Sequence, residues 1–261
     1  MLELLVHEPT QKAKNTPLLF IHGAWHGAWC WEEHFLPYFA ERGYAVYAPS
    51  LRGHGQSSGQ ERLRWSSAKD FLADIAETAV KLPQPPIIIG HSMGGYLVQK
   101  YLENVTLPGA ILLASAPPQG VIGTTLRIAR RFPGQFLKLN VKLSLYPLVE
   151  TAALARHQFF SETMPQEKVN RYFKLLGDES YRAFLDMLVF NLPKPKQVST
   201  PVLVLGGSKD TIFTKDEVSA TARAYHTKPH FFPMAHDMML ETGWEQVAEK
   251  MLAWLAERNL E

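Results

Sequence analysis

The stretch Ile87-Ile88-Ile89-Gly90-His91-Ser92-Met93-Gly94-Gly95 decides the fold. Its three β-branched residues make a run too short for a helix and apolar on both faces, which predicts a strand covered on both sides. Small residues follow, then a helical pattern over 93–103. In that context G-x-S-x-G predicts a sharp strand-to-helix turn that forces the Ser92 hydroxyl out at the edge of a sheet. The alternative is a Gly-rich turn with an ordinary helix-capping serine. The strand before the motif, and Gly95 after it, favour a nucleophile.

Similar short apolar runs stand on either side. Leu18–Ile21 ends at His22-Gly23, 44–48 at Pro49, Ala110–Leu113 at Ser115, 202–205 at Gly206-Gly207 and 230–232 at Pro233. Residues 2–6 predict a further strand, antiparallel at the edge. Helical patterns fill the gaps over 31–41, from Ser66 or Ser67 to about 81, and over 215–224 and 245–257. This alternation predicts the α/β class, with a mostly parallel, doubly wound sheet.

The alternation breaks between 117 and 198. Four segments at helical spacing, 121–131, 136–148, 166–176 and 181–190, contain no convincing buried strand. An insertion leaving the carboxyl end of a strand lies over the face where such sheets bind ligands. The expected organisation is a core of 1–116 and 199–261 with a helical cap of 117–198.

A neutral serine needs a base, and the base needs an orienting acid. In this topology the order along the chain is Ser, acid, His. Asp210 follows the 202–205 run, at the carboxyl rim expected for Ser92; a turn or capping aspartate is the alternative, and Asp216 is the substitute acid. His236 follows the last strand and falls on the same rim. His226 and His230 fall at the opposite end of the sheet. Acyl transfer also needs donors for an oxyanion. The N–H of Met93 and the N–H of Ala24, in the loop opened by Gly23, suit that role.

Taken together, His22-Gly23-Ala24, 52–57 (Arg-Gly-His-Gly-Gln-Ser), 90–95, Asp210 and His236 resemble the α/β-hydrolase family of serine esterases and lipases. The resemblance covers almost the whole chain. Residues 22–31 are similar to the branch holding plant methyl esterases and hydroxynitrile lyases. It implies Ser92 as nucleophile, Asp210 as acid, His236 as base, no cofactor and a small-molecule ester substrate. Lyases of that branch carry Thr where this chain has Gly23, and Lys where it has Asp237; both departures argue against cyanohydrin chemistry. A ligand-binding protein on the same scaffold is the third function class. Ser92 excludes the dehalogenase and epoxide hydrolase chemistries, which need Asp there.

The rest of the sequence narrows the field. The chain has 261 residues, 46% hydrophobic and 20% charged, with 27 Lys and Arg against 25 Asp and Glu. A formal charge of +2 is too balanced for a nucleic-acid binder. Mean hydropathy is −0.13 and no apolar run approaches the roughly 20 residues of a membrane span. The first nine residues include no basic residue, so a secretory signal is not expected, and a cytoplasmic location is. The lone Cys30 excludes an internal disulfide and reads as a small buried hydrophobe. His22, His54 and His91 match no metal-binding spacing and have no acidic residue near them in sequence, so no metal is expected.

Trp25, Phe136, Phe160 and Met238 are the candidates to line a substrate pocket, sized for a medium apolar group. Trp29 and Trp31 read as core. No Asp or Glu occurs between Glu103 and Glu150, whereas Arg127, Arg130, Arg131, Lys138 and Lys142 do. This predicts a basic amphipathic part of the cap. A solvated face is the plainer reading, and weak contact with anionic lipid or an acidic substrate the sharper one. Nothing in the sequence sets the oligomeric state.

Overall fold

The computed structural model describes residues 1–260. Strands β1 (Leu4–His7) and β2 (Leu18–Ile21) come first, followed by helices α1 (Trp29–Glu32) and α2 (Phe35–Ala40) and strand β3 (Val46–Pro49). Helix α3 (Ala68–Ala79), strand β4 (Ile87–His91), helix α4 (Met93–Tyr101) and strand β5 (Ala110–Leu113) complete the first half. The sheet resumes with β6 (Val202–Gly207). Strand order is β1-β3-β2-β4-β5-β6-β7, where β7 is Pro229–Phe232. Only β1 is antiparallel, paired with β3 at the edge. β2, β4 and β5 are buried at every position, which is why they read as unbroken apolar runs rather than alternating ones.

Between β5 and β6 the chain is helical: α5 (Ile122–Arg131), α6 (Pro133–Lys142), α7 (Ala152–Phe159), α8 (Gln166–Phe173) and α9 (Tyr181–Leu185), the last continued by a wider turn over Asp186–Phe190. Helices α10 (Lys215–Ala224) and α11 (Trp244–Glu257) flank β7. No helix among the described residues is long and apolar enough to cross a membrane.

Two expected elements differ, and one helix was not expected. The helix expected over 31–41 is two short ones, because Pro37 has no N–H to give to the carbonyl four residues earlier. The segment expected over 136–148 starts earlier, at Pro133, a residue suited to a first helical position, and stops at Leu143, whose φ is +49°. Helix α7 is a finding of the structure. Thr151 caps it, accepting from Leu154 N–H at 3.2 Å.

Candidate active site

Ser92 sits between β4 and α4 with φ +52° and ψ −117°, outside the ordinary wells for an L-residue. The turn survives because its neighbours are glycines. A Cβ on Gly94 would come within 2.3 Å of Ile21 O, and one on Gly90 within 2.5 Å of Gly94 O. The Ser92 N–H donates to Leu113 O at 3.1 Å, and Ala116 N–H donates to Ser92 O at 3.1 Å, so β5 holds the turn from the side.

Asp210 and His236 meet at the carboxyl ends of β6 and β7. Nδ1–H of His236 donates to Asp210 Oδ2 at 2.8 Å, and both side chains are buried. The other carboxylate oxygen accepts from the N–H groups of Ile212, at 2.7 Å, and Phe213, at 3.1 Å. Asp210 is thereby fixed before it fixes the imidazole. Nε2 of His236 has no partner in the protein. Burial depresses the His236 pKa, but the charge and hydrogen bond of Asp210, with the charge of Asp237, outweigh burial and leave it raised. Asp216, the substitute acid, is exposed in the first turn of α10.

The loop after β2 is held plane by plane. Leu51 N–H donates to His22 Nε2 at 3.0 Å, so the His22 proton is on Nδ1, which donates to Gly23 O at 2.8 Å. Burial, then the nearby His54, keeps the His22 pKa well down, in accord with a neutral ring. With its C=O tied back, the Gly23–Ala24 peptide turns its N–H the other way. The N–H groups of Ala24 and Met93 have no acceptor among the described residues. The next peptide is clamped at both ends: His26 Nδ1 lies 2.7 Å from Ala24 O, and Trp25 N–H donates to Glu179 Oε2 at 3.3 Å.

Two buried histidine–carboxylate pairs complete the surroundings, and one of them gives His54, which has no acidic residue near it in sequence, a carboxylate partner through the fold. His54 Nε2 lies 3.0 Å from Glu179, and His26 Nε2 lies 3.0 Å from Asp237. His91 lies 3.7 Å from Asp237 and donates from Nε2 to His236 O at 3.1 Å. These carboxylates are distant in sequence and arrive through the fold. The ligand atoms of His91, His236 and Asp237 fall within 4.8 Å of one another. His236 Nδ1 and His91 Nε2 are engaged, with Asp210 and the His236 carbonyl, whereas His91 Nδ1, His236 Nε2 and Asp237 Oδ1 have no hydrogen-bond partner among the described residues.

A narrow cavity of about 70 Å³ lies between the cap and this rim. Ala24, Trp25, Ser92 and Met93 line it from the core, and α5, α7, α9 and the turns between them line it from the cap. It is well below the roughly 300 Å³ at which drug-sized sites begin, narrower than the medium-sized pocket expected. Of the residues expected in the pocket, only Trp25 lines it. Phe136 lies half-buried on α6, which turns Leu139 inward instead. Phe160 has left α7 in extended conformation and packs on Tyr172, 5.6 Å between ring centroids. Met238 is fully buried behind His236. The cap's basic run is partly neutralised, Arg127 by Glu217 at 2.7 Å and Lys138 by Glu150 at 2.8 Å. A larger cleft, about 760 Å³, opens beside Arg52, Asp70 and Asp74 and holds none of the residues above.

Sequence reasoning missed Gln158, Glu179 and the partnership of His26 with Asp237. Gln158 had a signal: a threonine cap before Ala-Ala-Leu-Ala marks a helix start. The two histidine pairs had none, since neither partner lies near the other in sequence.

Comparison with known proteins agrees with this architecture. Residues 18–250 match the model of the alpha/beta hydrolase family. The carbendazim hydrolyzing esterase of a Nocardioides species is 23% identical over 256 residues, covering 90% of this chain and 98% of that protein. Norfluorocurarine synthase 1 of Strychnos nux-vomica is 29% identical, but the match spans only 44% of either protein. Among solved structures, a monoacylglycerol lipase of Paleococcus ferrophilus superposes with a TM-score of 0.74 at 21% identity, over 99% of both chains. The chain belongs to the alpha/beta hydrolase family, and is an enzyme of the hydrolase class.

Proposed function

We propose that the protein cleaves carboxylic esters of small molecules through an acyl-enzyme on Ser92. His236 Nε2 takes the Ser92 proton as Oγ bonds to the ester carbonyl carbon. The N–H groups of Ala24 and Met93 hold the resulting oxyanion. Collapse breaks the bond to the alkoxy oxygen, which leaves with the proton from His236. Water then gives a proton to His236 and its oxygen to the acyl carbon, and the acid departs as the proton returns to Ser92. Asp210 keeps the imidazole in the tautomer that has Nε2 free.

The observation carrying this reading is the buried His236, with Nδ1 on Asp210 and Nε2 without a partner, on the rim that also carries the strained Ser92. A serine in that strained turn, next to two backbone N–H groups without acceptors, has the parts acyl transfer requires. The test is a panel of p-nitrophenyl esters from acetate to palmitate beside a fluorophosphonate probe. Labelling with turnover of the short esters is expected. Labelling with turnover of none would favour a lyase, and neither would favour a binding protein.

A further inference from the structure

The cavity over Ser92 is almost entirely apolar, and apart from the Ser92 hydroxyl and the N–H groups of Ala24 and Met93 its polar lining is accounted for with two exceptions. Thr124 Oγ1 donates to Ile212 O at 3.1 Å, and Thr125 Oγ1 donates to Val121 O at 2.8 Å. The side chain of Gln158 makes no hydrogen bond to the protein, although it is only 4% exposed and its Nε2 is fully buried. The indole Nε1 of Trp25, across the same cavity, is likewise buried without an acceptor. Whichever way the Gln158 amide is turned, it leaves a donor and an acceptor unused. Buried polar groups in folded proteins are normally paired, and two orphans on the wall of one cavity indicate a missing partner that enters it.

Gln158 occupies a position where a methionine or leucine would fill the space without an unpaired amide. Helix α7 is also well anchored here: Asp237 N–H donates to Phe159 O at 3.0 Å, and Thr211 Oγ1 donates to His157 O at 2.8 Å. The two residues flanking Gln158 are therefore tied to the loops of His236 and Asp210, so its backbone keeps a fixed place relative to the reacting groups.

We propose that Gln158 and Trp25 form a polar subsite that recognises a second oxygen of the substrate, a hydroxyl or carbonyl in the part of the ester lying under the cap. The inference rests on the reading of Ser92 as a nucleophile toward esters. The substrate class it names is a short oxygenated ester rather than a plain alkyl ester. The indole N–H and the amide NH₂ donate to that oxygen, and the amide oxygen accepts from it when it is a hydroxyl.

The test compares kcat/KM within two matched pairs. On the acyl side these are p-nitrophenyl butyrate and p-nitrophenyl 3-hydroxybutyrate; on the alcohol side, propyl acetate and 2-hydroxyethyl acetate. Wild type is expected to favour the oxygenated member of one pair by about tenfold, the size of one well-made neutral hydrogen bond. Gln158→Met should bring that ratio close to one, and Trp25→Phe should lower it in the same direction. Fluorophosphonate labelling and the thermal midpoint show whether each variant is folded, and either variant alone can carry the result. No preference in either pair, or a preference that survives both substitutions, overturns the subsite while leaving the esterase standing. Absence of labelling and of turnover of every ester overturns the underlying reading, and the subsite with it.

Discussion

His26 Nε2 lies 3.0 Å from Asp237 Oδ2, and neither side chain is exposed by more than 1%. The pair joins two loops that are 211 residues apart. His26 also reaches Ala24 O, and Asp237 is the neighbour of His236 in the chain. The oxyanion donor and the general base of the proposed mechanism are thus set against each other through one buried hydrogen-bonded pair. His26→Ala or Asp237→Asn should lower kcat by about 10²-fold with little change in KM, the effect of a shift of about an ångström in a reacting group. Initial rates over a range of ester concentrations check this. A rise in KM alone would show that the pair serves binding instead.

Asp210→Asn should lower kcat by roughly 10³–10⁴-fold while leaving substrate binding nearly unchanged, because the histidine is left in the wrong tautomer. Asp216→Asn should do nothing comparable, its side chain being exposed on α10. Steady-state kinetics of the two variants side by side decide between the carboxylates, and a loss confined to Asp216→Asn would move the acid there.

The pH profile follows from the raised pKa of His236, whose usual value is 6.5. Ser92 needs the neutral ring, so activity is lost as pH falls through the raised value. The acid limb of kcat/KM should lie above 6.5, and Asp210→Asn should move it down in whatever activity remains. The sign for stability is the opposite. The fold favours the charged ring, so this contribution is fully present below the unfolded value and fades as pH rises through the folded one. An acid limb at or below 6.5 would contradict the raised pKa of His236.

Within the cap, pocket and packing roles fall on different residues. Leu148→Ala enlarges the cavity above Ser92 and should shift the preferred chain length, each methylene counting about 1–3 kcal/mol. Phe160→Ala opens space beside Tyr172, away from the cavity. It should cost about 3–5 kcal/mol of stability and leave the ester profile unchanged. Thermal melts and the ester panel, run on both variants, separate the two roles. A changed profile in Phe160→Ala would return that residue to the pocket.

The core was legible because its strands are short, buried on both faces and punctuated by Gly and Pro. The antiparallel edge β1 was read from its place at the start of the chain, although its residues alternate between exposed and half-buried. Ser92, Asp210 and His236 lie at strand ends, so sequence order and strand order together were enough to nominate them. The pocket was not legible. Which face of α6 turns inward depends on where the helix begins, and Pro133 begins it three residues before Phe136. Gln158 and Glu179 lie on parts of the cap whose fold is set by contacts rather than periodicity. His54 meets its carboxylate across 125 residues, a distance no local pattern encodes.

The central claim is a covalent acyl-enzyme on Ser92. It is tested most directly by acid-quenching the protein within its first turnovers of p-nitrophenyl butyrate and measuring intact and peptide masses. A butyryl adduct is expected on the peptide containing Ser92, together with a burst of nitrophenol, and both should vanish in Ser92→Ala with the fold intact and turnover reduced on the order of 10⁶-fold. An adduct on another residue, or near-wild-type turnover by Ser92→Ala, would contradict the account.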